Sequence, residues 1–383
     1  MEGSLIRSFA VESAEVVEIT EVRKDLMHCT VRMHNDSPES LSVEAICYPH
    51  LTGKVTCGDR VLVNTTARKL GLGSGGFHFI IWTPQMLAKQ QLSDGHIMKL
   101  RYTPWQMRVK AVEEQCSEYH HILKDRKTVE RMPVICCEVH SQLLPVVAGI
   151  RSIDTGFKIA YVMTDGGSLP LQLSKAVYNL KLNEWLHETL TAGHCFGGEH
   201  EAVNVYSALA AAAGVVGADV TVVGIGPGIV GTGTALGHTG MQQAQAANAA
   251  LSLGGLPVVP LRISTGDHRR RHSGISHHSL TVLGNAVLGK VWAVIAREAR
   301  DCWHLWRQIY QAEIADVHRI VMETGSEGMN LLQSQTNLQS LLSFMGRNPE
   351  QEPEFFLTAA AAGRLAAKLV QRSLGNGSSN NTN

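Results

Sequence analysis

From Pro133 onward, short apolar runs rich in β-branched residues recur along the chain, with room for a helix between most neighbouring pairs. The runs are 134–139, 158–163, 188–191, 219–224, 257–263, 290–295 and 317–322. Between them lie helix-like stretches at 169–180, 199–213, 241–253 and 303–313, and an amphipathic, Ala-rich helix closes the series at 355–374. Continuous apolar runs of this length are strands buried on both faces. Their alternation with helices predicts βαβ units, since parallel strands need a crossover. The expectation is α/β: a mostly parallel, Rossmann-like sheet over 133–374 with helices on both faces. The polar remainder, 375–383, is expected to be a disordered tail.

Residues 1–111 have a different rhythm. The segments 14–22, 29–33, 42–47, 61–63 and 77–82 are short and β-favouring, and turn residues such as Cys57-Gly-Asp-Arg60 separate them. A strand pair at 97–109 ends the series. This predicts a small β-barrel or sandwich. The charged, aperiodic stretch 112–132 reads as an inter-domain linker, and 383 residues suffice for this organisation. Gly193-His194 precedes Asn204 by ten residues, as Gly237-His238 precedes Asn248, and each pair runs into an Ala-rich helix. That pattern suggests duplication of one strand–turn–helix module.

Charge excludes some partners. Lys+Arg and Asp+Glu number 34 each, so no global field attracts nucleic acid or anionic lipid. The apolar stretch 208–223 is interrupted by Gly214, Gly217 and Asp219, so no membrane span is expected. Residues 1–20 lack the apolar core of a secretory signal. The eight cysteines form no CxxC pair and sit mostly in apolar runs, as buried reduced thiols would in the cytoplasm.

In open parallel sheets, ligands bind beyond the carboxyl ends of the strands. Glu138, His140 and Ser141 follow the first run, Thr164, Asp165 and Ser168 the second, and Thr191, His194 and Cys195 the third. A glycine loop, Gly224-Ile-Gly-Pro-Gly-Ile-Val-Gly-Thr-Gly-Thr234, follows the fourth run, and Asp267 and His268 come after the fifth. Turns favour Gly, Asp, Ser and Thr on their own account, but turn chemistry does not require histidine. A shared crevice is therefore expected.

Gly226, Gly228 and Gly231 match GxGxxG after a strand, with Thr232 next, as in an anion-cradling turn. No helix opens at once and no acidic residue stands about twenty positions on, which argues against a dinucleotide. The second loop, Asp267-His268-Arg269-Arg270-Arg271-His272, leads to Ser276, His277, His278 and Ser279, with Ser276 or Ser279 as a helix N-cap. Arg269 and Arg270 suit phosphate or carboxylate, and His277 and His278 face the same ligand in this reading. Asp165, His194 and His268 are the candidates for proton transfer, and His140, Asp165, His194 and His268 for a metal. Several familiar motifs fail. His200-Glu201 lacks the second histidine of a zincin helix, Gly166-Gly-Ser168 lacks the last glycine of a nucleophile elbow, and Val291 stands where Walker A needs Ser or Thr. Cys195 beside His194 reads as packed rather than activated.

The segments Glu138-Val-His140-Ser141, Gly193-His-Cys-Phe-Gly-Gly-Glu-His-Glu201, Gly224 to Thr234 and Arg271-His-Ser-Gly-Ile-Ser-His-His-Ser279 resemble an uncharacterised bacterial family, the domain of unknown function numbered 3866. The resemblance covers nearly the whole chain and implies a cytosolic bacterial protein. It lends no reaction, cofactor or catalytic residue. The residues themselves favour an enzyme, or a domain descended from one, that binds a small phosphorylated or otherwise anionic molecule at the strand ends. A metal-dependent hydrolase using the His/Asp cluster and a non-catalytic ligand-sensing or partner-binding module are the alternatives. No cofactor is assigned, and oligomerisation is left open.

Overall fold

Strand β1 (Val11–Arg23) is 13 residues long, and its register slips at Val16/Glu18 and again at Ile19/Glu21. Such bulges bend a strand. The bend lets β1 pair with β2 (Leu26–Met33) along its length and with β4 (Arg60–Asn64) through residues 11–15. Adding β3 (Ser42–Cys47) and β5 (His78–Trp82) gives the order β1-β2-β3-β5-β4, which closes on β1 as a barrel. Ala14, Val16, Cys29, Val31, Ala45, Val61, Val63 and Ile80 fill its interior. The expected small β domain is a barrel, not a sandwich. The computed structural model describes residues 9–34, 42–73, 75–87 and 94–378. Two compact units result, Met1–Leu92 and Ser93–Asn383.

The second unit opens with a hairpin, β6 (Ile97–Lys99) and β7 (Met107–Val109). Its main strands are β8 (Pro133–Cys136), β9 (Ile159–Thr164), β10 (Glu188–Ala192), β11 (His200–Ala202), β12 (Val220–Ile225) and β13 (Leu256–Pro260). After a short antiparallel pair, β14 (Ile263–Ser264) and β15 (Gly274–Ile275), come β16 (Trp292–Ala296) and β17 (Arg319–Glu323). The eight-stranded order is β11-β10-β9-β12-β8-β13-β16-β17, and every neighbouring pair is parallel.

Successive residues of a strand serve opposite cores, because side chains alternate across a sheet. Ile135 packs with Leu143–Arg151, Lys175–Leu182, Ser326–Gln333 and the closing helix Pro353–Ser378. Val134 and Cys136 pack on the other face with Val205–Ala211, Gln242–Ser252 and Cys302–Gln311. This doubly wound arrangement has a consequence at β8. The chain leaves β8 across one face toward β9, and leaves β13 across the other face toward β16. Connections that diverge between adjacent strands open a crevice at the strands' carboxyl ends.

All seven strand runs expected after Pro133 are present. The differences lie at their margins. β11 arises inside the expected helix 199–213, because Glu201 pairs with Thr191 on β10 and Asn204 then caps the helix proper. The stretch 112–132 is not a free linker. Val112, Leu123, Val129 and Met132 are buried in the second core, and the backbone N–H groups of Val129 and Arg131 donate to Leu253 and Gly254. The hairpin β6–β7 belongs to the second unit rather than to the barrel. Buried Lys99 holds it there by donating to the carbonyls of Thr191 (3.0 Å) and Cys195 (2.7 Å) and to Glu201 (2.5 Å). Both segments run from a strand through a loop into a helix on the same face, but the matched asparagines are not equivalent: Asn204 caps its helix, whereas Asn248 lies within one and bonds Ala286 and Leu288. The closing helix is buried almost all round over 354–370 rather than on one stripe. It is described through Ser378, and the rest of the expected tail, 379–383, lies outside the described residues. Among the described residues, no helix is long and apolar enough to cross a membrane.

Candidate functional site

The crevice is floored by a buried ion pair. Glu138 immediately follows the apolar run that ends β8, and Arg262 follows β13, the neighbouring strand, so both side chains meet at the sheet's carboxyl edge. Arg262 Nη1 donates to Glu138 Oε1 at 3.1 Å, and both residues are only 1% exposed. The Ser279 hydroxyl donates to Glu138 Oε2 at 2.5 Å, and His278 Nδ1 lies 3.4 Å from Oε1. Burial works against ionisation of Glu138. The His278 contact, the Arg262 charge and the Ser279 hydroxyl outweigh it and bring its carboxyl down to about 2. Arg262 also lies 5.1 Å from the centroid of the Phe344 ring, an apolar partner for the guanidinium face.

Four imidazoles stand on this floor. Ser276 caps the short helix His277–Thr281 by accepting the backbone N–H of His278, which fixes His277 and His278 at the helix start. The same hydroxyl is 2.8 Å from His272 Nδ1. His238 arrives from the loop after β12 and stacks on His278, with centroids 3.7 Å apart and an interplanar angle of 5°. His272 is 5.0 Å from both His277 and His278, and His277 is 4.3 Å from His278. Burial, reinforced by nearby positive groups, lowers His277 to about 4 and His272 to about 3; burial also lowers His238. These rings are neutral at pH 7, with lone pairs free for a proton or a ligand. His277 Nε2 is buried without a hydrogen-bond partner among the described residues.

The two loops meet over the imidazoles. An ideal Cβ on Gly231 would lie 3.4 Å from the His278 ring, and one on Gly233 would lie 3.9 Å from the Arg271 guanidinium. Gly228 (φ +98°) and Gly233 (φ +81°) adopt left-handed backbone in this loop, which only glycine does freely. Thr232 is exposed, and its hydroxyl is taken up within the loop itself: it donates to Gly237 and lies 3.0 Å from that of Thr234. Gly226 is buried against Leu169 and Met163, so its role is close packing. Arg269 is committed to Asp267 through two contacts, at 2.9 and 2.6 Å. Arg270 and Arg271 are exposed, and no carboxylate pairs with either among the described residues.

The other sequence candidates lie apart from this group. His140 is half-buried against Tyr161 with Nε2 2.7 Å from the Ser174 hydroxyl, and desolvation lowers it to about 4. Asp165 and His194 are neighbours past β9 and β10, where Asp165 packs on Gly193 and His194 Nδ1 accepts the Leu100 N–H at 3.0 Å. His268 is exposed. His140, Asp165, His194 and His268 do not form a group at metal-ligand spacing; His272, His277 and His278 do, their ligand atoms all within 4.8 Å of one another. Cys195 is wholly buried, and burial raises its thiol to about 12, so it is no nucleophile.

The strand-end reading names His277, His278 and the glycine loop, which lie together in this crevice, but not Arg262, His238 or His272 as site residues. A signal existed for the ion pair. Glu138 and Arg262 are opposite charges at the ends of two apolar runs, where an unpaired charge would be costly.

Fold and site together define a doubly wound α/β protein with an N-terminal barrel and a histidine-rich crevice at its switch point. Residues 44–363 match the family described as "Protein of unknown function (DUF3866)", and the chain belongs to that family. No curated protein matches the chain.

Proposed function

We propose that this protein is an enzyme, or a domain descended from one, that binds a small phosphorylated or otherwise anionic molecule at the carboxyl ends of β8, β12 and β13. The observation that carries this reading is the meeting of the two loops. Arg271, with no carboxylate partner among the described residues, faces the glycine backbone at Gly233, and Gly231 of the same loop approaches the His278 ring. Guanidinium groups without internal partners bind oxyanions strongly, and glycine backbone lets N–H groups approach them closely. Asp267 secures Arg269 and so holds the arginine loop in shape, leaving Arg270 and Arg271 for the ligand. His277, half-buried and with Nε2 free, is the group best placed to move a proton to or from a ligand so held. A cytoplasmic setting accompanies this reading, because all eight cysteines are free thiols and five are buried. A formal charge of zero supplies no global field that would draw in nucleic acid.

Pyrophosphate is a suitable probe. Calorimetric titration should show saturable binding, weakened at least tenfold in an Arg270→Ala/Arg271→Ala variant whose thermal midpoint is unchanged. Equal binding by the variant would remove the arginines from the site, and with them this reading.

A further inference from the structure

The geometry points to a transition-metal site of the zinc class, built from His272, His277 and His278 with Glu138 and Ser276 behind it. It uses neither Arg270, Arg271 nor the glycine backbone of the anion reading, but it takes His277 Nε2 as a metal ligand in place of the proton-transfer role given to it there. The ligand atoms of the three imidazoles lie within 4.8 Å of one another. In a tetrahedral site with Zn–N of about 2.0–2.1 Å the ligand nitrogens stand roughly 3.3 Å apart, so small side-chain rotations close the site.

What distinguishes this cluster from packed histidines is the second nitrogen of two of its rings, His272 and His278. A ligating imidazole generally gives its other N–H to a carboxylate, hydroxyl or carbonyl, which fixes ring orientation and tautomer. His278 Nδ1 lies 3.4 Å from both Glu138 Oε1 and Arg262 Nη1, and His272 Nδ1 faces the Ser276 hydroxyl at 2.8 Å. Each leaves its Nε2 to a metal. His277 Nε2, buried and without a partner among the described residues, is a donor atom lacking its acceptor. Ser276 couples the three, because it holds His272 and caps the helix that presents His277 and His278. Three nitrogen ligands leave a fourth position for water or a ligand oxygen, the arrangement of catalytic rather than structural zinc. Imidazole donors without thiolate select zinc, copper, nickel or cobalt over magnesium or calcium.

A second group at ligand spacing, His96, Glu114 and Cys116, has two of its three members exposed and includes a thiol. A test therefore has to separate the two. The full chain, stripped of metal and kept in oxyanion-free buffer, is titrated with Co²⁺ and then Zn²⁺, following cobalt absorption and bound metal per chain. One equivalent is expected, giving tetrahedral cobalt bands without a sulfur charge-transfer band. His277→Ala, at a half-buried position, should weaken affinity at least 100-fold, and Glu138→Gln about 10–100-fold. Cys116→Ser should leave affinity unchanged, and circular dichroism of each variant guards against misfolding. Absence of stoichiometric metal, loss of metal in Cys116→Ser, or full retention in His277→Ala would each overturn the assignment. Pyrophosphate binding by metal-free protein is a separate readout, so failure of the metal site and failure of the anion reading remain distinguishable.

Discussion

Glu138→Ala should destabilise the second unit by about 3–5 kcal/mol, among the largest effects of any single truncation in this chain. The expectation follows from what remains rather than from what is removed. Arg262 is 1% exposed, and Nη1 donates to Glu138; without that carboxylate its charge stays buried with an aromatic face and an imidazole for company. The Ser279 hydroxyl loses its acceptor at the same time. A charge left buried and unpaired costs far more than the net worth of the pair. The argument makes a sharper prediction about the double variant. Replacing Arg262 by Met in the Glu138→Ala background removes the stranded charge, so Glu138→Ala/Arg262→Met should be at least 1 kcal/mol more stable than the two single losses sum to. Denaturant unfolding, followed by a probe within the second unit, measures both. Strict additivity would show that the two groups do not act as a pair.

Gly363→Val should cost about 4 kcal/mol or more, or prevent folding. A Cβ at this position would lie 2.0 Å from the carbonyl oxygen of Val146, and one on Gly149 would lie 2.0 Å from that of Ala360. Pro353–Ser378 and Leu143–Arg151 thus touch backbone to backbone. Rotamer changes cannot relieve a clash with a carbonyl, so the helices would have to separate and uncover the core around Phe355, Phe356 and Ile150. Gly73 is the control. Its added Cβ meets nothing within 4 Å, and Gly73→Ala should stay within about 0.5 kcal/mol of the parent. A thermal melt of Gly363→Val that matches the parent would contradict the close approach.

The same two helices show why part of the fold was legible and part was not. Strands buried on both faces read directly as apolar runs, so β8, β9, β10, β12, β13 and β16 are visible, and the half-buried edge strand β17 keeps enough apolar residues (Ile320, Val321, Met322) to read the same way. β11 was not. Three residues containing His200 and Glu201 carry no apolar signal, and they are a strand because β10 offers them an edge. The stretch 112–132 misled for a related reason. Its buried residues, Val112, Leu123, Val129 and Met132, are spaced to suit the surface they pack against rather than any helical or strand period. The Ala-rich closing helix reads as amphipathic in sequence. Its small residues serve close packing on several sides, a fact of tertiary structure that a single-helix pattern does not contain.

At the candidate site, the edge rule points to the strand ends but not to which residues meet there. Every strand end supplied a candidate, and only the strand order picks out β12, β8 and β13 as the central neighbours. That order brings His238 from one loop onto His278 of another, and leaves Asp165 with His194 at Gly193 and His140 against Tyr161.

The central claim, that the glycine loop and the arginine–histidine loop close on one ligand, is tested most directly by hydrogen–deuterium exchange of the full chain with and without saturating pyrophosphate. Peptides covering 226–240 and 268–280 should become protected together, and that protection should vanish in Arg270→Ala/Arg271→Ala. Protection of one loop without the other, or of neither at saturation, would contradict the account.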